Sequence, residues 1–134
     1  MMREIKFRGK RIDNGKWIYG SLIIEEDTIA DALKYFIKPF NFLTGKLVVP
    51  ETVGQYTDSN DKNKKEIYEG DIVRYNDKLT GVVVWKYTGF VLELLNRKKS
   101  PILLWYDVDT KDNIEIIGNI HENPELIILL SDDA

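Results

Sequence analysis

Cysteine is absent from the 134 residues, and histidine occurs once, as His121. Without cysteine there is no disulfide, no thiolate zinc site and no cysteine nucleophile, which predicts a reducing, intracellular setting. A Ser-His-Asp arrangement would have to pair His121 with Ser21, Ser59, Ser100 or Ser131, and none of these sits in a glycine-flanked elbow. Long apolar runs are missing too. None exceeds five residues, as in Leu126–Leu130, against the ~20 that a spanning helix needs. The opening residues, Met1-Met2-Arg3-Glu4-Ile5-Lys6, hold no apolar core of the kind a signal peptide requires. The expectation is a cytoplasmic protein with no membrane contact. Neither a Gly-x4-Gly-Lys-Ser/Thr loop nor a Gly-x-Gly-x-x-Gly turn occurs. Asp107, Asp109, Asp112 and Asn113 alternate as oxygen ligands do in calcium loops, but the glycine and the closing glutamate of such loops are lacking. They read as an acidic turn, and no metal or cofactor is expected. Nor is there an excess of one charge: 19 basic against 22 acidic side chains leave −3, so whole-molecule attraction to nucleic acid is not predicted.

What the chain does have is a period of two. Ile5 and Phe7 alternate with Lys6 and Arg8, as in a half-buried strand. A second strand is predicted over Lys16 to Ile24, and Asn14-Gly15 between the two suggests a type I′ hairpin turn. Glu25 to Leu33 fits either a short helix capped by Asp27-Thr28 or a wide hairpin loop. Tyr35-Phe36-Ile37 and Gly45 to Val49 read as edge or terminating strands, because Pro39 and Pro50 follow them. Asp58 to Lys65, eight polar residues in a row, reads as an exposed loop and the lobe boundary. Beyond it strands are predicted at Asp71–Tyr75, Gly81–Tyr87, Phe90–Leu95, Ile102–Asp107 and Ile114–Ile120, with turns at Asn76-Asp77, Thr88-Gly89 and Asp109 to Asn113. Five short strands so closely connected resemble a small barrel or a bent meander. Asn123 to Leu130 is a helical turn with Pro124 at its start or a closing strand, buried in either case. The fold class is therefore mainly β with little helix: an N-terminal hairpin and meander lobe over 1–57 and a small barrel over 58–134, tightly packed or forming one domain.

Charge is unevenly placed. Arg3 to Lys16 holds six basic residues against two acidic, a local +4, whereas Asp107 to Asp133 holds eight acidic residues and Lys111 alone, a local −7. The basic contact face would comprise Lys6, Arg8, Lys10 and Arg11, to meet the acidic end of a neighbouring subunit or a phosphate backbone. Alternatively it is a solvated strand face that blunts an edge. Smaller basic clusters, Lys62 with Lys64 and Lys65 and Arg97-Lys98-Lys99, read as loop solubility. The tyrosines Tyr19, Tyr56, Tyr68, Tyr75 and Tyr87 fit packing or a stacking face. Gly70 permits a tight turn, Asp71 can accept from nearby amides, and Ile72-Val73 starts a strand.

Several blocks carry a resemblance. Arg3-Glu-Ile-Lys-Phe-Arg-Gly-Lys-Arg-Ile-Asp-Asn-Gly-Lys-Trp-Ile-Tyr-Gly-Ser-Leu22 resembles the opening of the YopX family of phage and prophage proteins. Glu51-Thr-Val-Gly-Gln-Tyr-Thr57, Lys65-Glu-Ile-Tyr-Glu-Gly-Asp-Ile-Val73, Gly81-Val-Val-Val-Trp85 and Ile114-Glu-Ile-Ile-Gly-Asn-Ile-His-Glu-Asn-Pro-Glu-Leu126 follow in family order. The resemblance implies a mostly β protein with an SH3-like barrel and a phage or prophage origin, and it implies no established activity. In place of the family's Thr-Gly-Leu-Lys-Asp-Lys-Asn-Gly-Lys, this chain has Asp58 and Lys64 at the two glycine positions. The turn before Glu66 thereby loses its Asn-Gly pair.

The expected function is a non-catalytic binding or assembly module that self-associates as a homo-oligomer or meets a phage or host protein. A nucleic-acid-binding barrel is the alternative, and an enzyme relying on carboxylates such as Glu66, Glu69 or Asp71 is a third. Gln55, Tyr56, Tyr68 and Asp71 form the candidate binding site, where polar groups and aromatics are expected to meet between the lobes.

Overall fold

The computed structural model describes residues 2–95, 97 and 99–131. The chain divides into two compact units, Met1–Tyr56 and Thr57–Ala134, and it is mainly β as expected.

Unit 1 is an antiparallel sheet of order β4-β3-β2-β1-β5, built from β1 (Phe7–Lys10), β2 (Trp17–Asp27), β3 (Ala32–Lys38), β4 (Lys46–Leu47) and the start of β5 (Gly54–Asn60). The hairpin predicted from Asn14-Gly15 is present, with Lys10 opposite Trp17 and Phe7 opposite Gly20, but its turn is not type I′. Arg11 N donates to the Lys16 carbonyl (2.9 Å) and Gly15 N to the Arg11 carbonyl (2.9 Å), which leaves a four-residue loop. Gly15 has φ 68°, whereas Asn14 uses its side chain, Oδ1 accepting from Lys16 N at 2.9 Å. A type I′ turn needs two positive φ values. That signature appears at Asn76 (55°) and Asp77 (59°) instead.

Glu25 to Leu33 resolves into a hairpin. β2 runs on to Asp27 and pairs with β3 from Ser21 opposite Lys38 to Asp27 opposite Ala32. β3 lies inside the sheet only where β4 covers it, at Phe36–Leu47 and Ile37–Lys46, and is an edge over Ala32 to Lys34. The Asp27 carboxylate holds the turn, accepting from Ile29 N (3.2 Å) and Ala30 N (3.1 Å) and facing Lys34 Nζ at 3.2 Å. The Ala30 amide above all, then Lys34, lowers its pKa from the usual carboxyl value. A carboxyl with a depressed folded pKa stabilises above its unfolded pKa and loses that contribution as pH falls through the folded value. Asp27→Asn is therefore expected to destabilise at about pH 7 and to match wild type at about pH 2, read by thermal denaturation at both.

The core of unit 1 is Ile18, Ile37 and Val48, with Phe7, Leu22, Tyr35 and Val53 packed around it. Alternation along β1 and β2 turns Phe7, Gly9, Ile18 and Leu22 to this side. Fully buried aliphatic side chains of this kind each contribute about 1.5–3 kcal/mol.

Unit 2 contains the rest of β5, β6 (Glu66–Tyr68), and a five-stranded antiparallel sheet of order β10-β9-β8-β7-β11. Its strands are β7 (Asp71–Tyr75), β8 (Leu79–Lys86), β9 (Gly89–Leu94), β10 (Ile102–Leu104) and β11 (Ile114–Asn119). β10 is shorter than expected, because Trp105–Asp107 turns into 3-10 helix. The acidic turn forms one helical turn, α1 (Thr110–Asn113). Pro124 opens a helix, α2 (Pro124–Ser131), so the closing strand is not formed. The tail is also not fully buried: Ile128 and Leu129 are 66% and 65% exposed. Ile67, Val73, Val83, Leu92, Leu94, Val108 and Ile114 make the core.

Asp58 to Lys65 is not a bare loop. β5 extends through Asn60, and Asp61 is 3% exposed. Its Oδ1 accepts from Asn63 N (2.8 Å) and Lys65 N (2.9 Å), and its Oδ2 from Ile116 N of β11 (3.0 Å). A carboxylate can be buried when amides satisfy it. Asp58 and Lys64 have φ 62° and 65°, so the backbone keeps the glycine conformation at both positions without glycine. L-residues pay about 1 kcal/mol there. Lys64 is exposed, and Lys64→Gly is expected to stabilise the protein by up to about 1 kcal/mol in urea denaturation; a destabilised variant would contradict this.

Candidate functional site

The basic residues of β1 lie on the sheet face opposite the core. Arg8 is opposite Tyr19 and Lys10 opposite Trp17, while Tyr56 N donates to the Lys6 carbonyl at 2.9 Å. Cations and rings therefore interleave. Lys6 Nζ stands 4.9 Å from the Tyr56 ring centre, the Arg8 guanidinium 4.8 Å from that of Trp17, and Lys10 Nζ 6.0 Å from the same ring. Such contacts are worth about 0.5–2 kcal/mol each, more as they are desolvated.

The four cations of the basic contact face differ in burial and in pairing. Arg8 is only 6% exposed, its flat guanidinium lying against Trp17. Lys6 is held 3.0 Å from Glu4. Arg11 belongs to the turn and grips Asp13 with two bonds, Nε to Oδ1 at 2.9 Å and Nη2 to Oδ2 at 2.7 Å. This pairing raises the Arg11 pKa and lowers that of Asp13.

The four residues of the other candidate site fall in two units. Gln55 and Tyr56 close unit 1, with Gln55 opposite Phe7 and Tyr56 7% exposed. Tyr68 and Asp71 come together in unit 2, where Asp71 Oδ2 accepts from Tyr68 N at 2.8 Å and the Tyr68 hydroxyl donates to Glu66 Oε1 at 3.0 Å. Both are almost fully buried. Gly70, at φ 96°, makes the turn between them; its N–H donates to the Val83 carbonyl and its carbonyl accepts from Ile120 N. Here Asp71 does what its sequence context suggested, tying off a strand entry.

The apolar surface of unit 1 does not follow from the alternation of apolar and polar residues. Phe40, Ile29 and Leu43 are almost fully exposed, and Phe42, Ile24, Leu33 and Leu47 are 39–54% exposed. Three large apolar residues, Phe40, Phe42 and Leu43, stand between Pro39 and Gly45 in the sequence, but their exposure is visible only in the structure. Two open grooves border this loop. One, of about 450 Å³, is lined by Ile5, Lys6, Tyr19, Ser21 and Phe40 among others. The second, of about 300 Å³, is lined by Ile23, Phe36, Lys38 and Leu43 among others. Concavities of this size hold a side chain or small ligand.

Among the described residues, no three His, Cys, Asp or Glu side chains are placed to hold a metal ion. Asp109 Oδ2 instead accepts from Asn113 Nδ2 at 3.0 Å. No helix among them is long and apolar enough to cross a membrane. Lys98, Asp132 and Asp133, parts of the basic cluster and acidic tail noted above, lie outside the described residues.

The family model described as YopX protein matches residues 6–128. No curated protein matches the chain. Among solved structures, the crystal structure of protein EF1440 from Enterococcus faecalis superposes with a TM-score of 0.54 at 22% identity, covering 94% of this chain and 99% of that one. At that identity the likeness is one of fold.

Proposed function

The chain belongs to the YopX protein family, and from that premise we propose that it is a non-catalytic binding and assembly module that self-associates. We read it as phage- or prophage-encoded and cytoplasmic, with unit 2 an SH3-like small barrel. The observation that carries this reading is the apolar surface of unit 1. Exposed apolar residues scattered singly are ordinary. Phe40, Phe42 and Leu43 instead share one loop and are 101%, 43% and 97% exposed, and apolar residues grouped in this way support an interaction surface. A second support is the outer edge of β3: β4 reaches only Phe36 and Ile37, leaving Ala32, Leu33 and Lys34 on an edge without a β4 partner, to which another strand can add. Size-exclusion chromatography with light scattering tests the reading. A mass above one chain that falls on dilution is expected, and a monomer at every concentration and salt level would overturn it.

A second reading, nucleic-acid binding, is favoured by the interleaved cations and rings around Trp17 and Tyr56, the side-chain types that grip single strands. It expects affinity that falls steeply with salt and drops when Lys6, Arg8 and Lys10 become glutamine. Absence of binding to single-stranded oligonucleotides at low salt would remove it. The paired states of Lys6 and Arg11 and the burial of Arg8 put it second.

A further inference from the structure

Nine asparagines occur in the chain, and Asn14 alone is followed by glycine. The amide carbon of an asparagine side chain can be attacked by the backbone nitrogen of the next residue, and a Cβ on that residue hinders the approach. Glycine removes the hindrance. Room is present at Gly15, where a Cβ would meet nothing within 4 Å. Every residue from Ile12 to Lys16 is exposed, so water and hydroxide reach the loop.

The loop also orients the side chain. Asn14 Oδ1 accepts from Lys16 N at 2.9 Å, an Asx turn that swings the amide group toward the N–H groups following it in the chain. Lys16 N–H thus already faces the oxygen on which negative charge develops when the amide carbon is attacked, as a fixed donor does in an oxyanion hole. Gly15 N, the attacking atom, donates to the Arg11 carbonyl at 2.9 Å. This bond belongs to an exposed loop, the class of backbone bond that opens locally at least cost.

We propose that Asn14 is a modification site, at which the side-chain amide is lost through a succinimide made with Gly15. Gly15 N gives its proton to solvent base and bonds to Cγ of Asn14; the Cγ–Nδ2 bond breaks, and Nδ2 takes a proton from water and leaves as ammonia. Water then opens the ring. Addition at Cγ frees Gly15 N from the side chain and leaves aspartate. Addition at the main-chain carbonyl carbon leaves isoaspartate, with the chain running on through Cγ. Nothing is oxidised or reduced. Either product sets a further carboxylate beside Asp13, which Arg11 already holds with two bonds, and takes one unit from the local +4 of Arg3 to Lys16. Isoaspartate also adds a methylene to the main chain of the loop. The charge of the basic hairpin therefore falls with the age of the molecule.

The test is prolonged incubation of the full, folded chain in mildly alkaline buffer, followed by isoelectric focusing and mass spectrometry of the peptide holding Asn14. A species with one further negative charge is expected to accumulate, with the amide-to-acid mass change at Asn14 and isoaspartate detected by enzymatic methylation. Mildly acidic buffer is expected to slow it, because ring closure needs a nitrogen that has lost its proton. Asn14→Gln, whose longer side chain closes a less favourable ring, is expected to remove the acidic species; Asn14 is exposed, and circular dichroism checks that the variant folds. Three outcomes overturn the proposal. Conversion in urea but not in the folded protein shows that the bond from Gly15 to Arg11 protects the site. Absence of conversion in both shows that the site is inert. An acidic species that persists in Asn14→Gln places the change at another asparagine.

Discussion

Gly20→Ala is expected to lower the stability of unit 1 by about 3 kcal/mol or more, a fall of roughly 10 °C in its melting temperature. Gly20 is the last residue of β2 opposite β1, and Ser21 begins the pairing with Lys38 of β3. At this crossing, the chain leaving β3 passes directly over the glycine. A Cβ on Gly20 would overlap the Lys38 carbonyl oxygen and stand 2.6 Å from its carbon and 2.8 Å from Pro39 Cα. All three are backbone atoms, so no side chain can swing away to make room. The backbone at Gly20 also has φ 156°, which side chains rarely adopt. Scanning calorimetry of the variant checks this, with Ser21→Ala as the control expected to shift little. A Gly20→Ala protein as stable as wild type would mean that Lys38 and Pro39 can move off, and that the placement of the apolar loop after them is not rigid.

Asp61→Ala is expected to cost about 3 kcal/mol in unit 2. Three backbone N–H groups, of Asn63, Lys65 and Ile116, converge on this carboxylate, and alanine leaves them all without it. Asp61→Asn retains one carbonyl oxygen but turns an amide NH2 toward donors on the other side, so it is expected to fall between the two. Urea denaturation at neutral pH followed by tryptophan fluorescence measures both. Trp105 is a suitable reporter because its Nε1–H donates to Ser59 Oγ, two residues before Asp61, at 3.3 Å. Equal stability of the aspartate and alanine proteins would show that water replaces the carboxylate in the loop.

The two sites also mark where sequence reading succeeds and where it stops. β7 was legible to the residue, because Asp71–Tyr75 combines a glycine-aspartate entry with an aliphatic run. Hairpin β1–β2 was legible as a hairpin and not as a turn type: Arg11 and Asp13 pair across the bend and open it to four residues, a choice that no dipeptide preference records. β5 escaped notice because Gln55-Tyr56-Thr57-Asp58-Ser59-Asn60 has no apolar alternation; its stability comes from ladder bonds and from polar burial such as Thr57 Oγ1 donating to the Ile67 carbonyl at 2.8 Å. Arg8 was placed outside by its charge, although a guanidinium can lie flat on an indole and be covered with it. For the candidate site, single residues were legible and surfaces were not. Asp71 was found with its amide partner, whereas the apolar loop needed the knowledge that nothing in unit 1 packs over Phe40.

Both sheets are closed by pairing between strands that lie far apart in the chain. Phe7 pairs with Gln55 in unit 1 and Asp71 with Asn119 in unit 2, 48 residues apart in both cases. The hairpins β2–β3 and β8–β9 join neighbours in the chain and form on the microsecond scale, whereas joining distant strands carries the loop-closure entropy that slows β-rich proteins to about milliseconds or longer. During synthesis, unit 1 therefore cannot complete its sheet until β5 has left the ribosome. Until then β1 presents an unpaired edge, the kind of edge that charged side chains on a strand blunt.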